Sequence, residues 1–255
     1  MSKSLVAILH FNSPQYTDTL YELLKPYEGD DYDLEVIDNG SSPTRTSKYT
    51  TMRLEENVYY GGGLDVTMQY FIDNKQYDSM LLLNSDLIVH GYNFVKALRK
   101  ELFVEEDLVG VSACVMMPSK NQCHWKMNHN WNSKELRYVP WVDYQCILLK
   151  RKFVEHVGGF GSKFGWVQDH ATGIICQDMG WKIGVCDWIP VIHFSNGSVN
   201  DNLDDPIISK YNQLADDEMV EYFHSKGLWN KFIEQRQRAE AYKYHWPTKE
   251  ETDEQ

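Results

Sequence analysis

Met80-Leu81-Leu82-Leu83-Asn84-Ser85-Asp86-Leu87-Ile88-Val89 is an apolar run that breaks at a short polar step and then resumes. Four consecutive large apolar residues predict a strand covered on both faces, because a half-exposed strand would alternate. A carboxylate buried at the end of such a strand is too costly to keep charged unless it meets a cation, strong donors or water. Asp86 therefore has two readings, a metal ligand or a cap for the following turn.

The same grammar extends in both directions. Leu5–Leu9 is a second continuous apolar run, and Ser13-Pro14 after it offers a helix start leading into Tyr16–Leu24. Leu34-Glu35-Val36-Ile37 ends in the turn formers Asp38-Asn39-Gly40-Ser41-Ser42. Tyr59-Tyr60-Gly61-Gly62-Gly63 opens onto a segment with Leu64, Met68 and Phe71 on one helical face. A further helix is expected over Phe94–Leu102. Alternation of strands and helices predicts an α/β fold with a mainly parallel mixed sheet flanked by helices, and ligands then gather at the strands' C-terminal ends. Asp38 and Asp86 both fall there.

The second half is less regular. Val109–Met116 and Tyr144–Leu149 read as strands around a polar, aromatic stretch from Asn121 to Trp141, and Ile183–Cys186 reads as another, continuing at Val191-Ile192. Ser195–Ser198 through Pro206 has loop composition. Apolar residues from Leu214 to Ile233 recur at helical intervals interrupted by Gly227, which predicts two C-terminal helices. The expected organisation is one domain over residues 1–205, in two halves of about 1–90 and 91–205. A helical appendage over 206–245 and an acidic tail over 246–255 follow.

Composition narrows the class. With 255 residues, 42% of them hydrophobic, the chain has enough apolar surface for a sizeable core. A net charge of −12 disfavours a nonspecific binder of nucleic-acid backbone. Five scattered cysteines without Cys-x-x-Cys spacing argue against a disulfide framework and for a reducing, cytoplasmic compartment. Cys123-His124 with His129 lacks the second pair a zinc site needs, so these read as loop residues. The pentad Leu5–Leu9 is too short for a signal peptide or a membrane span, so no membrane insertion is expected.

Taken in order, these segments resemble the family 2 glycosyltransferases, which have the GT-A fold, and among them the rhamnosyltransferase-like branch. The likeness runs over roughly residues 5–195. Phe11-Asn12 ends the first strand as the family's Tyr-Asn does, and Val36–Ser42 is similar to its Val-Asp-Asn-Gly-Ser-Ser. Glu56–Gly63 resembles Glu-Asn-x-Gly-Phe-x-Gly-Gly, and Leu82–Asp86 resembles Leu-Leu-Asn-Pro-Asp, the family's metal-binding motif. Val157–Phe160 looks like the Gly-Gly-Phe segment before an acidic catalytic motif, here Gln168-Asp169, and His193 falls where a metal-binding histidine is common. Gly161 stands where the family has aspartate, and Gln168 where it has glutamate, so the base assignment rests on Asp169 alone.

The resemblance implies a metal-dependent, inverting transfer of a hexosyl or pentosyl group from a nucleoside-diphosphate sugar, UDP-linked in the first instance, to a hydroxyl. The acceptor is left open among a glycan, a lipid-linked sugar, a glycosylated protein and a sugar on a modified nucleic-acid base. Asp86 and His193 would hold Mn2+ or Mg2+, and Asp169 would take the acceptor proton. Asn12, Asp38, Asn39, Gly61, Gly62, Gly63, Asp65, Asn84 and Ser85 would bind the donor, with the glycines offering close approach and amides at a helix start. Trp141, Trp166 and His170, with Trp125 and Trp131 as further stacking faces, would meet the acceptor.

Each residue also has a plain structural reading. Asp38 suits an Asx turn, Asp65 and Asp169 suit first helical turns, His193 suits a satisfied strand end, and the tryptophans suit a core. Two other functions compete. A nucleotidyltransferase would need a basic glycine-rich loop where Asn12-Ser13-Pro14-Gln15 stands. A nucleotide-sugar binding protein without catalysis draws support from Gln168.

Overall fold

A computed structural model describes residues 3–116, 135–194 and 201–243. The Cys123-His124-His129 group, Trp125 and Trp131, Ser195–Ser198 and the tail over 246–255 lie outside the described residues. The elements in chain order are β1 (Lys3–His10), α1 (Pro14–Leu24), β2 (Tyr32–Asp38), β3 (Met52–Arg53), α2 (Tyr59–Asp73), β4 (Tyr77–Asn84), β5 (Leu87–Val89) and α3 (Phe94–Leu102). They continue with β6 (Leu108–Met116), β7 (Arg137–Tyr138), β8 (Cys146–Lys150), α4 (Arg151–Val157), α5 (Val167–Met179), β9 (Lys182–His193), α6 (Tyr211–Ser225) and α7 (Trp229–Lys243).

One sheet runs in the order β3-β2-β1-β4-β8-β6-β9-β5, with β7 also on β9. The expectation of a mainly parallel sheet holds for its first half, where β3, β2, β1 and β4 are all parallel. The second half is mixed: β8 lies antiparallel between β4 and β6, and β5 and β7 lie antiparallel on β9. The strand expected at Ile183–Cys186 with a continuation at Val191-Ile192 is the single strand β9, whose pairing with β6 shifts register between Ala113 and Cys114.

The continuous apolar runs exist because both faces are covered. Leu5 and Ala7 of β1, Met80 and Leu82 of β4, and Ile147 and Leu149 of β8 face a core shared with α2, α4 and α5. Val6, Ile8, Leu81, Leu83, Cys146 and Leu148 face the opposite core, closed by Leu20 and Leu24 of α1 and Phe94, Leu98 and Leu102 of α3. The four described cysteines are all buried and unbridged.

The C-terminal helical appendage is integral to the first of these cores. Met219 and Phe223 of α6 and Phe232 of α7 join Ala171 and Ile174 of α5 there, and the Phe223 and Phe232 rings stack at 4.6 Å. Truncating a fully buried phenylalanine removes both its transfer energy and its packing. Phe232→Ala is expected to lower stability by about 3–5 kcal/mol in urea unfolding, within a single cooperative transition. Loss of the helices alone in a separate early transition is the opposite outcome.

Candidate functional site

The polar step at 84–86 sits where β4 ends. β5 pairs antiparallel with β9 so that Leu87 lies opposite His193, and the Phe194 amide donates to the Asp86 carbonyl at 3.0 Å. That register brings Asp86 Oδ1 to 3.0 Å from His193 Nε2, with both residues buried. Asn84 Nδ2 lies 3.4 Å from the same imidazole nitrogen, and Asn84 Oδ1, also buried, has no hydrogen-bond partner among the described residues. No third His, Cys, Asp or Glu among the described residues completes a cluster with this pair. The pair still fits a small hard cation: adjacent ligands at about 2.1 Å in an octahedral shell are separated by about 3.0 Å. The carboxylate oxygen suits Mn2+ or Mg2+, and the imidazole nitrogen beside it favours Mn2+, the softer of the two.

At the end of β2, Asp38 is fully buried and divided in its role. Oδ1 accepts the Ser41 amide, three residues on, at 2.8 Å and so closes the turn after β2, while Oδ2 has no hydrogen-bond partner among the described residues and lies 4.0 Å from Arg53 Nη1. Asn39 turns away from this opening: its Nδ2 donates to the Tyr59 carbonyl at 2.9 Å and its Oδ1 accepts the Val58 amide at 3.0 Å. Asn12, at φ 51°, accepts the Ser42 amide at 2.8 Å and donates to Asn202 Oδ1 at 3.0 Å. Arg45 donates to the same Asn202 oxygen and to the Asp201 carbonyl, so the chain after β9 returns across the mouth of β1 and β2.

The glycines are placed differently from the expectation. They form the first turns of α2, and the Gly61 amide donates to the Lys163 and Phe164 carbonyls at 3.0 and 2.8 Å. A Cβ at Gly61 would meet the Ser162 carbonyl oxygen at 2.5 Å, and one at Gly63 would meet the Leu9 side chain at 2.9 Å. Close approach is thus what they provide, to protein backbone and core, and the Gly61 and Gly62 amides are engaged with residues 163–164. Asp65 likewise accepts the Phe160 and Gly161 amides, each at 2.8 Å, and burial raises its pKa above the ordinary range. Its carboxylate pins the 158–161 loop.

That loop leads into α5 and Asp169. Glu218 of α6 accepts the Lys163 and Phe164 amides at 2.6 and 2.8 Å, so residues 163–164 are held from both sides. Asp169 lies in the first turn of α5, half-buried, and its Oδ1 accepts the Tyr144 amide at 3.1 Å. The Tyr60 hydroxyl donates to the Tyr144 carbonyl. Burial first, then the Asp169 carboxylate, pushes the Tyr60 phenol well above its usual pKa. Burial, then Glu218 and Asp169, raises Tyr211 at the start of α6. Tyr60 and Tyr211 were not singled out from the sequence; a tyrosine beside a glycine run and one at a helix start carry no pattern of their own.

Two of the proposed acceptor residues face the other way. His170 is buried between α5 and the C-terminal helices, with Nδ1 2.9 Å from Gln235 Oε1 and rings of Trp141 and Phe232 at 4.6 and 4.9 Å. Trp141 is itself buried against that histidine. Apolar surroundings on successive turns of α5 explain both placements, which correct the expectation of an acceptor face there. Trp166, at the N-cap of α5, is partly exposed beside the core.

No protein-family model matches the chain, and no curated protein matches it. Solved structures do. Mannosyltransferase PcManGT from Pyrobaculum calidifontis, in complex with GDP-Man and Mn2+, aligns with a TM-score of 0.59 at 15% identity over 88% of this chain and 64% of that one. GalNAc-T7 with UDP, GalNAc and Mn2+ aligns at 0.58 and 11% identity over 76% of this chain and 44% of that one. S. aureus TarS 1-349 aligns at 0.55 and 13% identity over 88% and 72%. This chain has the GT-A glycosyltransferase fold. It spans 64% and 44% of the lengths of the first two proteins.

Burial pushes the His170 imidazole down from 6.5 to about 4. Between those values the unfolded chain holds one more proton than the folded one, so this contribution is intact above about pH 6.5 and is lost as the pH falls toward 4. The full shift corresponds to about 3 kcal/mol. His170→Gln is therefore expected to flatten the fall in stability between pH 7 and pH 4.5 measured by urea unfolding; an unchanged pH slope would contradict it.

Proposed function

We propose that the chain is a metal-dependent glycosyltransferase that moves a sugar from a nucleoside-diphosphate donor to an acceptor hydroxyl with inversion at the anomeric carbon. The observation that carries this reading is the buried Asp86–His193 contact of 3.0 Å at the C-terminal edge of a GT-A sheet. The rhamnosyltransferase-like motifs make that branch the proposed one.

Asp86 and His193 would hold a divalent cation, which when bound supplies Lewis-acid stabilisation to the leaving diphosphate. Asp38 Oδ2 would accept one N–H from a nucleobase, beside its long 4.0 Å contact with Arg53 Nη1. With Oδ1 already engaged by the Ser41 amide, a single open oxygen suits the lone imino N–H of uracil better than the paired donors of guanine, which favours a UDP-sugar. Asn12 and Asn39 support the walls of that opening through the backbone at 42 and 58–59.

Asp169 is the proposed base. Its carboxylate is oriented by the Tyr144 amide and belongs to a partly exposed residue at the start of α5, where an acceptor hydroxyl would meet it. In a single displacement it takes the hydroxyl proton as the acceptor oxygen attacks the anomeric carbon and the bond to the diphosphate oxygen breaks on the opposite face. Trp166 offers a partly exposed ring beside it.

Asp169→Asn is expected to bind donor as the parent does and to lose roughly 100-fold or more in transfer rate, assayed with labelled UDP-sugar. Parent-like turnover in that variant removes Asp169 from the chemistry. Asp86→Ala is expected to abolish the Mn2+-dependent part of the thermal shift produced by UDP, and an unchanged Mn2+ effect would sink the metal assignment. Parent protein that binds UDP-sugar with no hydrolysis or transfer across many acceptors would favour the non-catalytic binding reading instead.

A further inference from the structure

Between the Asp86–His193 pair and Asp169 lies a residue that neither the motifs nor the catalytic scheme uses. Gln145 immediately precedes β8, and its carbonyl accepts the Asn84 amide at 3.0 Å. Leu83 pairs with Cys146 in the antiparallel register of β4 and β8, so Asn84 and Gln145 are the next opposed pair and their side chains leave the sheet on the same face. That face is the one lined by Leu82 and Ile147, over which α2 and α5 pack. On one side Gln145 adjoins Asn84, whose amide nitrogen is 3.4 Å from His193. On the other it adjoins Tyr144, whose amide binds Asp169 at 3.1 Å.

Gln145 is 8% exposed, and its Oε1 has no hydrogen-bond partner among the described residues; nor has Asn84 Oδ1 beside it. A buried acceptor without a donor costs free energy that a folded protein recovers only if something else supplies the donor. Two such acceptors, opposed across one strand pair and bracketed by the proposed cation ligands and base, mark where a ligand's own donors belong.

We propose that Gln145, with Asn84, binds hydroxyls of the transferred sugar and that this sugar is neutral. The assignment rests on the glycosyltransferase reading above. A sugar being transferred must lie between the leaving diphosphate and the acceptor oxygen, which is the interval these two amides occupy. Carboxamides offer an acceptor and donors together, the complement of a hydroxyl. The open positions are acceptors, and the carboxylates reached through their neighbours are Asp86, by way of His193, and Asp169, by way of the Tyr144 amide. A uronic acid would bring a carboxylate into a place that presents oxygens and negative charge.

The test is isothermal titration of the full chain with Mn2+ present. The probes are UDP, GDP, UDP-glucose, UDP-galactose, UDP-N-acetylglucosamine, GDP-mannose and UDP-glucuronate, against parent protein and Gln145→Met. Parent protein is expected to bind at least one neutral nucleotide sugar about tenfold or more tighter than UDP-glucuronate. Gln145→Met should lose about tenfold in affinity for that neutral sugar nucleotide while binding the matching free diphosphate within about twofold of the parent. Its melting temperature without ligand should be equal or higher, because a side chain of similar volume replaces an unpartnered acceptor. Equal losses for sugar nucleotide and free diphosphate, no loss for either, a lowered ligand-free melting temperature, or a preference for UDP-glucuronate would each overturn the assignment. Parent protein that binds none of the probes instead overturns the glycosyltransferase reading, and this one with it.

Discussion

A sheet buried on both faces carries charge within its strands only where it is paired, as Asp187 of β9 is with Arg137, and this sheet treats its two ends in opposite ways. At the end where β1 and β4 begin, Arg99 of α3 donates to Asp78, Ser4 and Ser79, and Lys150 of β8 donates to the Glu105 and Glu106 carbonyls. Those groups satisfy one another. At the end where β1, β2 and β4 finish, Asp38 Oδ2, Asn84 Oδ1 and Gln145 Oε1 are buried with no hydrogen-bond partner among the described residues. Polar groups left open at a single end of a closed core are the physical signature of a ligand site, and everything proposed about chemistry depends on that asymmetry.

The open end is held in shape by one stretch of backbone. Residues 160–164 are fixed from α2 by Asp65 and the Gly61 amide and from α6 by Glu218, through hydrogen bonds that engage both amides and carbonyls. α5 starts immediately after this stretch, so the position of Asp169 is set jointly by an N-terminal and a C-terminal helix. The C-terminal helices therefore contribute to the site through structure: Glu218 grips the loop, Tyr211 stands beside Asp169, and His170 with Phe223 and Phe232 binds α5 to its partners.

Much of this was legible in the sequence for a simple reason. Runs such as Leu5–Leu9 and Met80–Leu83 are apolar at every position only because helices cover both faces, so the same pattern that announces the strands also announces the layers. Asp86 and His193, far apart in the chain, stand out together in the sequence and lie in contact, because Asp86 directly precedes β5 and β5 pairs with the end of β9. The sense of β8 was not legible, since five buried residues carry no directional signal and the preceding connection is long. The glycines at 61–63 and Asp65 have the sequence pattern of donor contacts; only the fold shows that a second loop packs against them first. His170 and Trp141 looked like ligand residues by type, whereas their burial depends on α6 and α7, whose docking no local pattern encodes. Gln145 carried the same sign as Asp86, a polar residue abutting the apolar run Cys146–Leu149, but without the register that sets it opposite Asn84 the sign had no meaning.

The central claim is that the open end of the sheet takes a cation and a nucleoside diphosphate together. Anomalous diffraction from crystals grown with Mn2+ and UDP tests it most directly. The account predicts a manganese peak within bonding distance of Asp86 and His193, with the uracil N–H on Asp38 Oδ2. A manganese peak elsewhere, or UDP bound away from Asp38, would contradict it.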